Sequence, residues 1–549
     1  MKNWPIIVIL AIAFILRIVG LQSYPAGFTP DEASFGYDAY SILKTGKDQW
    51  GNSLPLTFKS FGDNKLPLYT YLTIPSVFVF GLSEFAVRLP NAMLSSLAIL
   101  VTYLLVKELF GSKKYAYLAS FLLAVSPWHV FMSRGAFEAN LTTFLLPLGI
   151  LFFYKGLKNQ KYLYLSALVF GLNLFSYHSA RLITPLIVGF LVFISLKNFV
   201  SLKKYVFSGV VFGIFCAFAL TNILSGGASR VSTAGIFNAT EGANSISQSR
   251  YDAILGGINP QLAIIFGNKF NYFSDTFIKN YISYFSPQFL FSEGAREGTY
   301  GMVPGIGLMY IFEIVFLFGF ILFLGKKNKN RNIWLLVFWI LVSAIPASMA
   351  KGPGHAANRV AIMMPAIQIA SAMGGVYLYE KLRPKYRSVA GGMCFCLFAI
   401  SFIFFLEKYL ITQPMRGAKA MIYGTKQVVE FVSATAKKGK YDNIYISKKM
   451  SEPHIYFAFY NQMNPRVIQN DSKNWNFVEQ GFSWVDQMGR YKLNGYTFKS
   501  IDGKNEVGSP GFNLFVGPRE DFSENIQPLK VIKYPNGEDA YLIVESQRP

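Results

Sequence analysis

Apolar runs of about 18–20 residues recur from the start of the chain to about Leu410, and that is the length an α-helix needs to cross a bilayer. This feature overrides length as a guide, since 549 residues would otherwise suggest several soluble domains. It also dictates helices, because in hydrocarbon each backbone N–H and C=O must find its partner inside its own segment. The segments that read as spans are 4–22, 88–110, 115–132, 140–156, 162–178, 182–196, 205–222, 302–324, 332–350, 359–380 and 389–410, eleven in all. The first run, Trp4 to Leu21, is long for a signal peptide and lacks a clear small-x-small cleavage site, so it reads as a retained signal anchor.

Charge then sets the orientation. A formal net charge of +22 raises nucleic acid as a partner, but the basic residues sit in short clusters between apolar runs, so nucleic acid is excluded. Lys107/Lys113/Lys114, Lys155/Lys158/Lys161, Lys197/Lys203/Lys204, Lys326/Lys327/Lys329/Arg331 and Lys381/Arg383/Lys385/Arg387 read as cytoplasmic loops. The lysine-poor segments Ser133–Asn140, Tyr177–Arg181, Ile223–Gly301 and Ala350–Arg359 alternate with them and read as outward-facing, with the N-terminus inside and the tail outside. One further apolar run, Leu66 to Leu82, is short and carries Pro67 and Pro75; it reads as a helix in the outer interface, because a crossing would invert every later loop. Thr276 to Phe291 reads the same way. Cys216, Cys394 and Cys396 all lie inside apolar helices and form neither a disulfide framework nor a zinc spacing.

Beyond Leu410 the composition turns polar. Lys426–Lys437 has a helical pattern, Tyr441–Ser447 reads as a strand, Glu452–Gln462 as a helix, and Tyr496–Ile501, Asn513–Val516, Leu529–Tyr534 and Ala540–Glu545 as strands. No nucleophile elbow, phosphate loop or metal motif appears there. The fold class expected is a multispanning α-helical membrane protein, residues 1–410, with a C-terminal extracytoplasmic α/β domain, residues 411–549.

Polar residues that look out of place collect on the outer side. Directly after the first run, Phe28 to Tyr40 carries the adjacent carboxylates Asp31 and Glu32, which are costly at a membrane border unless they meet water, a cation or a reaction. The same Thr29-Pro30-Asp31-Glu32 is also a good helix start. Asp38, Asp63 and Lys65 belong to the same loop; later outer segments add Arg134 and Glu138, then Tyr177, His178 and Arg181, then Lys351, His355 and Arg359. Singly, each has a structural explanation: Arg134 pairing with Glu138 four residues on, an interfacial His178, or Arg181 and Arg359 reaching for lipid headgroups. Together, cations and acids converging on one membrane face describe a site for an anionic substrate plus a base. Group transfer from a lipid-linked phosphate needs that mixture. Arg and Lys absorb the charge that develops on the leaving phosphate, and a carboxylate takes the proton of the attacking hydroxyl.

Pro30-Asp31-Glu32, Asn64-Lys65-Leu66-Pro67-Leu68, Phe85-Ala86-Val87-Arg88-Leu89-Pro90 and Ser133-Arg134-Gly135-Ala136-Phe137-Glu138, in this order and spacing, resemble GT-C glycosyltransferases of the family 39 type, such as dolichyl-phosphate-mannose–protein mannosyltransferases and aminoarabinose transferases. The resemblance covers about residues 1–410. It implies an inverting transferase that moves a sugar from a polyprenyl-phosphate donor to an extracytoplasmic glycan, lipid or protein. It implies Asp31 as the catalytic carboxylate with Glu32 beside it, Lys65 against the donor phosphate, and Glu138 at the second acidic position. Arg134, Arg181, His355 and Arg359 complete the expected phosphate-binding set, with Tyr177 and His178 as further site residues and a divalent cation as a possible cofactor. Lys65-Leu66-Pro67 departs from the usual Lys/His-Pro-Pro, and the tail shows no clear sugar-binding module. The competing class is a transporter or flippase for lipid-linked saccharides. Such proteins hold substrate near the bilayer midplane in repeated halves, whereas these ionisable residues lie at helix ends and no second half mirrors the first.

Overall fold

The computed structural model describes residues 4–61, 64–196, 203–224, 239–303, 305–326, 330–350, 355–475, 485, 488–508 and 510–546. Asp63, Lys197, Lys327, Lys329 and Lys351, named above, lie outside the described residues. The first ten helices are α1 (Trp4–Ile18), α2 (Pro30–Thr45), α3 (Leu68–Phe80), α4 (Glu84–Phe110), α5 (Lys113–Val125), α6 (Pro127–Ser133), α7 (Thr142–Lys158), α8 (Lys161–Asn173), α9 (Ala180–Ser195) and α10 (Lys203–Asn222).

Every segment read as a span contains a helix. Among the described residues five helices are long and apolar enough to cross a membrane alone: Glu84–Phe110, Glu138–Lys158, Tyr205–Asn222, Ala361–Lys381 and Pro384–Arg416. A sixth is the α5–α6 pair, bent by 57° where Pro127 opens the second helix. Shorter apolar helices of 10–17 residues include α1, α3, α9, Glu313–Leu324 and Asn332–Ser348. At 1.5 Å per residue the 13 residues of α3 reach about 20 Å, short of a hydrocarbon core of ~30 Å. The helix expected over Thr276–Phe291 starts earlier, at Lys269, and ends at Ser283.

The C-terminal part carries a six-stranded sheet of β3 (Asn443–Ser447), β4 (Arg490–Leu493), β5 (Tyr496–Lys499), β6 (Asn513–Gly517), β7 (Lys530–Lys533) and β8 (Asp539–Glu545). Its order is β4-β5-β3-β6-β8-β7, with β3 parallel to both neighbours and the outer pairs antiparallel. The sequence pattern does not predict β4. Asn494 and Gly495 join β4 to β5 with φ of 48° and 85°, the left-handed pair that a two-residue hairpin turn requires.

The tail does not sit apart. One hydrophobic core runs from Phe28, Phe35, Tyr37 and Tyr69 into Val428, Ile446, Tyr456, Phe459 and Ile543. The tail helix Pro453–Tyr460 lies across α2: the Tyr456 hydroxyl donates to the Phe28 carbonyl at 2.8 Å, and Tyr37 donates to the Met463 carbonyl at 2.9 Å. Gly36 makes this closeness possible, since a Cβ there would come within 2.6 Å of Phe459 and 2.4 Å of Val87. A two-stranded ribbon, β1 (Phe58–Lys59) with β2 (Asn64–Lys65), returns the first loop to the start of α2 and carries Lys65 with it.

Candidate active site

Thr29 caps α2. Its hydroxyl accepts from the Glu32 N–H at 3.3 Å, and the Glu32 carboxylate accepts from the Thr29 N–H at 3.1 Å, a reciprocal capping box with Pro30 in the first turn. Glu32 does more than cap. It is wholly buried and accepts from Arg88 Nε at 2.8 Å, from Arg88 Nη2 at 3.2 Å and from the Ala136 N–H at 3.0 Å. Arg88 spends its remaining donors on the carbonyls of Leu21, Gln22, Pro25 and Gly27. Glu32 therefore ties three segments together behind the helix, and it does not line the cavity described next.

Asp31 stands about 100° around the helix from Glu32. Its side chain is 59% exposed and pairs with Lys65, Nζ to Oδ1 2.7 Å. Lys65 itself is buried. It also donates to Ser34 Oγ at 3.1 Å and to the Asp31 carbonyl at 3.3 Å, and it lies over the Phe35 ring at 4.5 Å and the Phe61 ring at 5.4 Å. A cavity of about 270 Å³ opens here, lined by Thr29, Pro30, Asp31, Phe61, Ala136, Phe137, Glu138, Thr299, Tyr300, Ala420, Ile422, Ser451 and Glu452. Five parts of the chain converge on it: the start of α2, Phe61 between β1 and β2, the turn before α7, the segment at 299–300 and the tail. Aromatic faces alternate with carboxylates, the lining that suits a polyol with apolar C–H faces and hydroxyl edges.

Tyr300 joins this cavity to a second polar group. Burial, and after it the charges of Tyr177, Glu297, Glu138 and Asp31, push its hydroxyl well above the usual tyrosine range, so it stays a neutral donor. Glu297 accepts from the Asn358 N–H at 3.5 Å, and Asn358 Nδ2 donates to the Tyr177 hydroxyl at 3.3 Å. Burial pushes the Glu297 carboxyl up to about 7, while Arg359 pulls it down.

Of the residues singled out in the sequence, the structure thus gathers Asp31, Lys65 and Glu138 at the cavity, with Tyr177 and Arg359 next to it through Tyr300 and Glu297. Others are spoken for. Arg134 donates to the Leu16 and Val19 carbonyls at the end of α1 and to the Tyr409 hydroxyl at 2.7 Å, satisfying helix-end carbonyls. Arg181 donates to the Leu174 carbonyl and to Asn222 Oδ1 at 2.6 Å. His178 sits edge-on to Tyr177. His355 has φ of 59° and packs on Phe289; burial, then Arg296, hold its imidazole below the usual histidine range. Tyr300, Glu297 and Glu452 carry no signal in the sequence that marks them as site residues. Among the described residues, no group of three or more His, Cys, Asp or Glu is arranged to hold a metal ion.

Residues 64–221 match the family model described as dolichyl-phosphate-mannose-protein mannosyltransferase. A stretch of 146 residues is 29% identical to YkcB of Bacillus subtilis (strain 168), a protein named provisionally as a mannosyltransferase; it covers 26% of this chain and 20% of that one. Another, of 138 residues, is 26% identical to an uncharacterized protein of Aquifex aeolicus (strain VF5), covering 25% and 27%. In these matches the chain spans only a fifth to about a quarter of the curated relatives' length. The fold is similar to that of ArnT from Cupriavidus metallidurans bound to undecaprenyl phosphate, with a TM-score of 0.55, 10% identity, and 99% of this chain and 98% of that chain covered. The apo state of ArnT gives 0.54. The chain is thus similar to membrane glycosyltransferases of the GT-C family 39 type, and it shares the ArnT fold along nearly its whole length.

Proposed function

We propose that this chain is an inverting membrane glycosyltransferase that moves a hexosyl or pentosyl group from a polyprenyl-phosphate donor to an extracytoplasmic glycan, lipid or protein. The observation that carries the reading is the Asp31–Lys65 pair, a carboxylate and an ammonium 2.7 Å apart at the rim of a sugar-sized cavity. The acceptor hydroxyl attacks the anomeric carbon. Its proton passes to the Asp31 carboxylate, and the anomeric C–O bond breaks with its electron pair going to the phosphate oxygen. Lys65 stabilises that oxygen by giving up its longest contact, the 3.3 Å one to the Asp31 carbonyl, and by its charge in a poorly solvated setting. Arg359, held near Glu297, is the further cation for the donor phosphate. ArnT, whose fold this chain shares, binds undecaprenyl phosphate in its crystal structure, which supports this donor class.

The same reading assigns residues 1–410 to an eleven-span transferase unit of the plasma membrane, N-terminus in the cytoplasm, with α3 at the outer interface and residues 411–549 as an extracytoplasmic domain. The test is turnover of a radiolabelled polyprenyl-phosphate sugar by the full chain in detergent. Transfer of label without any membrane gradient is the expected result. Donor bound but never discharged would favour the transporter reading.

A further inference from the structure

The sequence assigns the tail no chemistry, yet the tail reaches into the reaction cavity. Ser451 and Glu452 both line it. Both are non-glycine residues in the left-handed region, with φ of 54° and 48°. Such a backbone is costly and persists only where its surroundings over-determine it. Glu452 also precedes Pro453, which further restricts its backbone. What over-determines the turn is the helix that follows it: Pro453–Tyr460 is clamped on α2 through Tyr456 to the Phe28 carbonyl and through Phe459 against Gly36. The strained turn is thereby registered against Thr29 and Asp31, the residues that begin α2.

We infer that Glu452 is a substrate-binding carboxylate supplied by the tail, and that it accepts hydroxyl hydrogens of the acceptor saccharide. Resting on the transferase reading, this names the side of the cavity that the acceptor occupies. A carboxylate repels the donor phosphate, so the Glu452 wall is the wrong place for the anion and the right place for a neutral polyol. Phe61, Phe137 and Tyr300 line the same cavity and offer ring faces to the sugar's C–H groups. Ser451 adds a second hydroxyl-competent group beside Glu452.

The experiment uses the full chain in membranes of a deletion strain complemented with each variant. The donor is the strain's own polyprenyl-phosphate sugar pool, extracted and radiolabelled; the acceptor is its delipidated envelope fraction; both are titrated. Glu452→Ala should raise the half-saturating amount of acceptor about 10–100-fold, the loss of a hydrogen bond to a charged group, with the half-saturating donor within about threefold of wild type. Glu452→Gln, which keeps shape and one oxygen, should fall between the two and guards against misfolding of Glu452→Ala. Unchanged acceptor saturation in both variants, or a shift in donor saturation instead, overturns the inference while leaving the transferase reading intact. The wild-type chain compared with the uncomplemented deletion strain separates the two: no label transfer above that background counts against the transferase reading itself.

Discussion

Asp31 and Glu32 are neighbours in the chain and opposites in the molecule. Glu32 faces inward with no exposure, and its oxygens accept four N–H groups, from Thr29, from Arg88 twice and from Ala136. Asp31 faces a cavity, mostly exposed, with the Lys65 ammonium at its side. One helical step separates a saturated carboxylate, which holds structure, from one that lines an open cavity. The lesson is that an acid pair at a membrane border is neither cap nor site as a unit. The capping reading of Thr29-Pro30-Asp31-Glu32 holds on Thr29 and Glu32, and Asp31 is left facing the cavity.

The largest effect that sharpens this contrast belongs to the inner face. Glu32→Gln leaves the Arg88 charge buried without its counter-ion, so a loss of about 3–5 kcal/mol is expected, read as a large drop in melting temperature in detergent. A stable Glu32→Gln protein would break the comparison at its structural end. Next is the packing that holds the tail on α2. Gly36→Ala places a methyl within 2.6 Å of Phe459 and 2.4 Å of Val87, and such overpacking costs about 1–3 kcal/mol. Limited proteolysis should release the tail faster in that variant, and an unchanged digestion rate would show that the contact is slack.

The smallest effect is a pH slope. Burial, then the Asp48 charge, push the Asp38 carboxyl up to about 8, against the two hydrogen bonds it accepts from Gln49. Its ordinary value is about 3.9. Between these values the folded state holds a proton that the unfolded state has lost, so stability is greatest on the acid side and falls as pH rises toward 8. The contribution to the slope is at most ~1.4 kcal/mol per pH unit. Asp38→Asn should flatten it, because a neutral amide has no proton to lose and, with the Gln49 amide turned, donates to Gln49 Oε1, an atom without a hydrogen-bond partner here. Melting temperatures of both proteins from pH 6 to 8 check this, and parallel curves would count against a protonated Asp38.

Much of the helical order is legible because hydrophobic periodicity and length are local properties. The tail's β3, β5, β6, β7 and β8 are found on the same ground, while β4 is missed even though Asn494-Gly495 signals its hairpin. The candidate site is legible only where a short local pattern carries it, as at Asp31 and Lys65, which the fold brings together at the cavity. Arg134 and Arg181 look like phosphate ligands because outward arginines are unexpected, yet their partners are the carbonyls of Leu16, Val19 and Leu174 and two side chains distant in sequence, Tyr409 and Asn222. Carbonyls are on every residue and leave no mark in a sequence. Glu297, Tyr300 and Glu452 are illegible for the converse reason: ordinary loop residues come to the cavity or beside it through contacts with residues far away in sequence.

The central claim is that Asp31, and not its buried neighbour, receives the proton. Asp31→Asn keeps the size and leaves an oxygen for Lys65, so the protein should fold, melt within a few degrees of wild type and still bind donor. Turnover of the radiolabelled polyprenyl-phosphate sugar should fall by on the order of 10²–10⁴-fold. Near-normal turnover in this variant would contradict the account and return the whole of Thr29-Pro30-Asp31-Glu32 to helix capping.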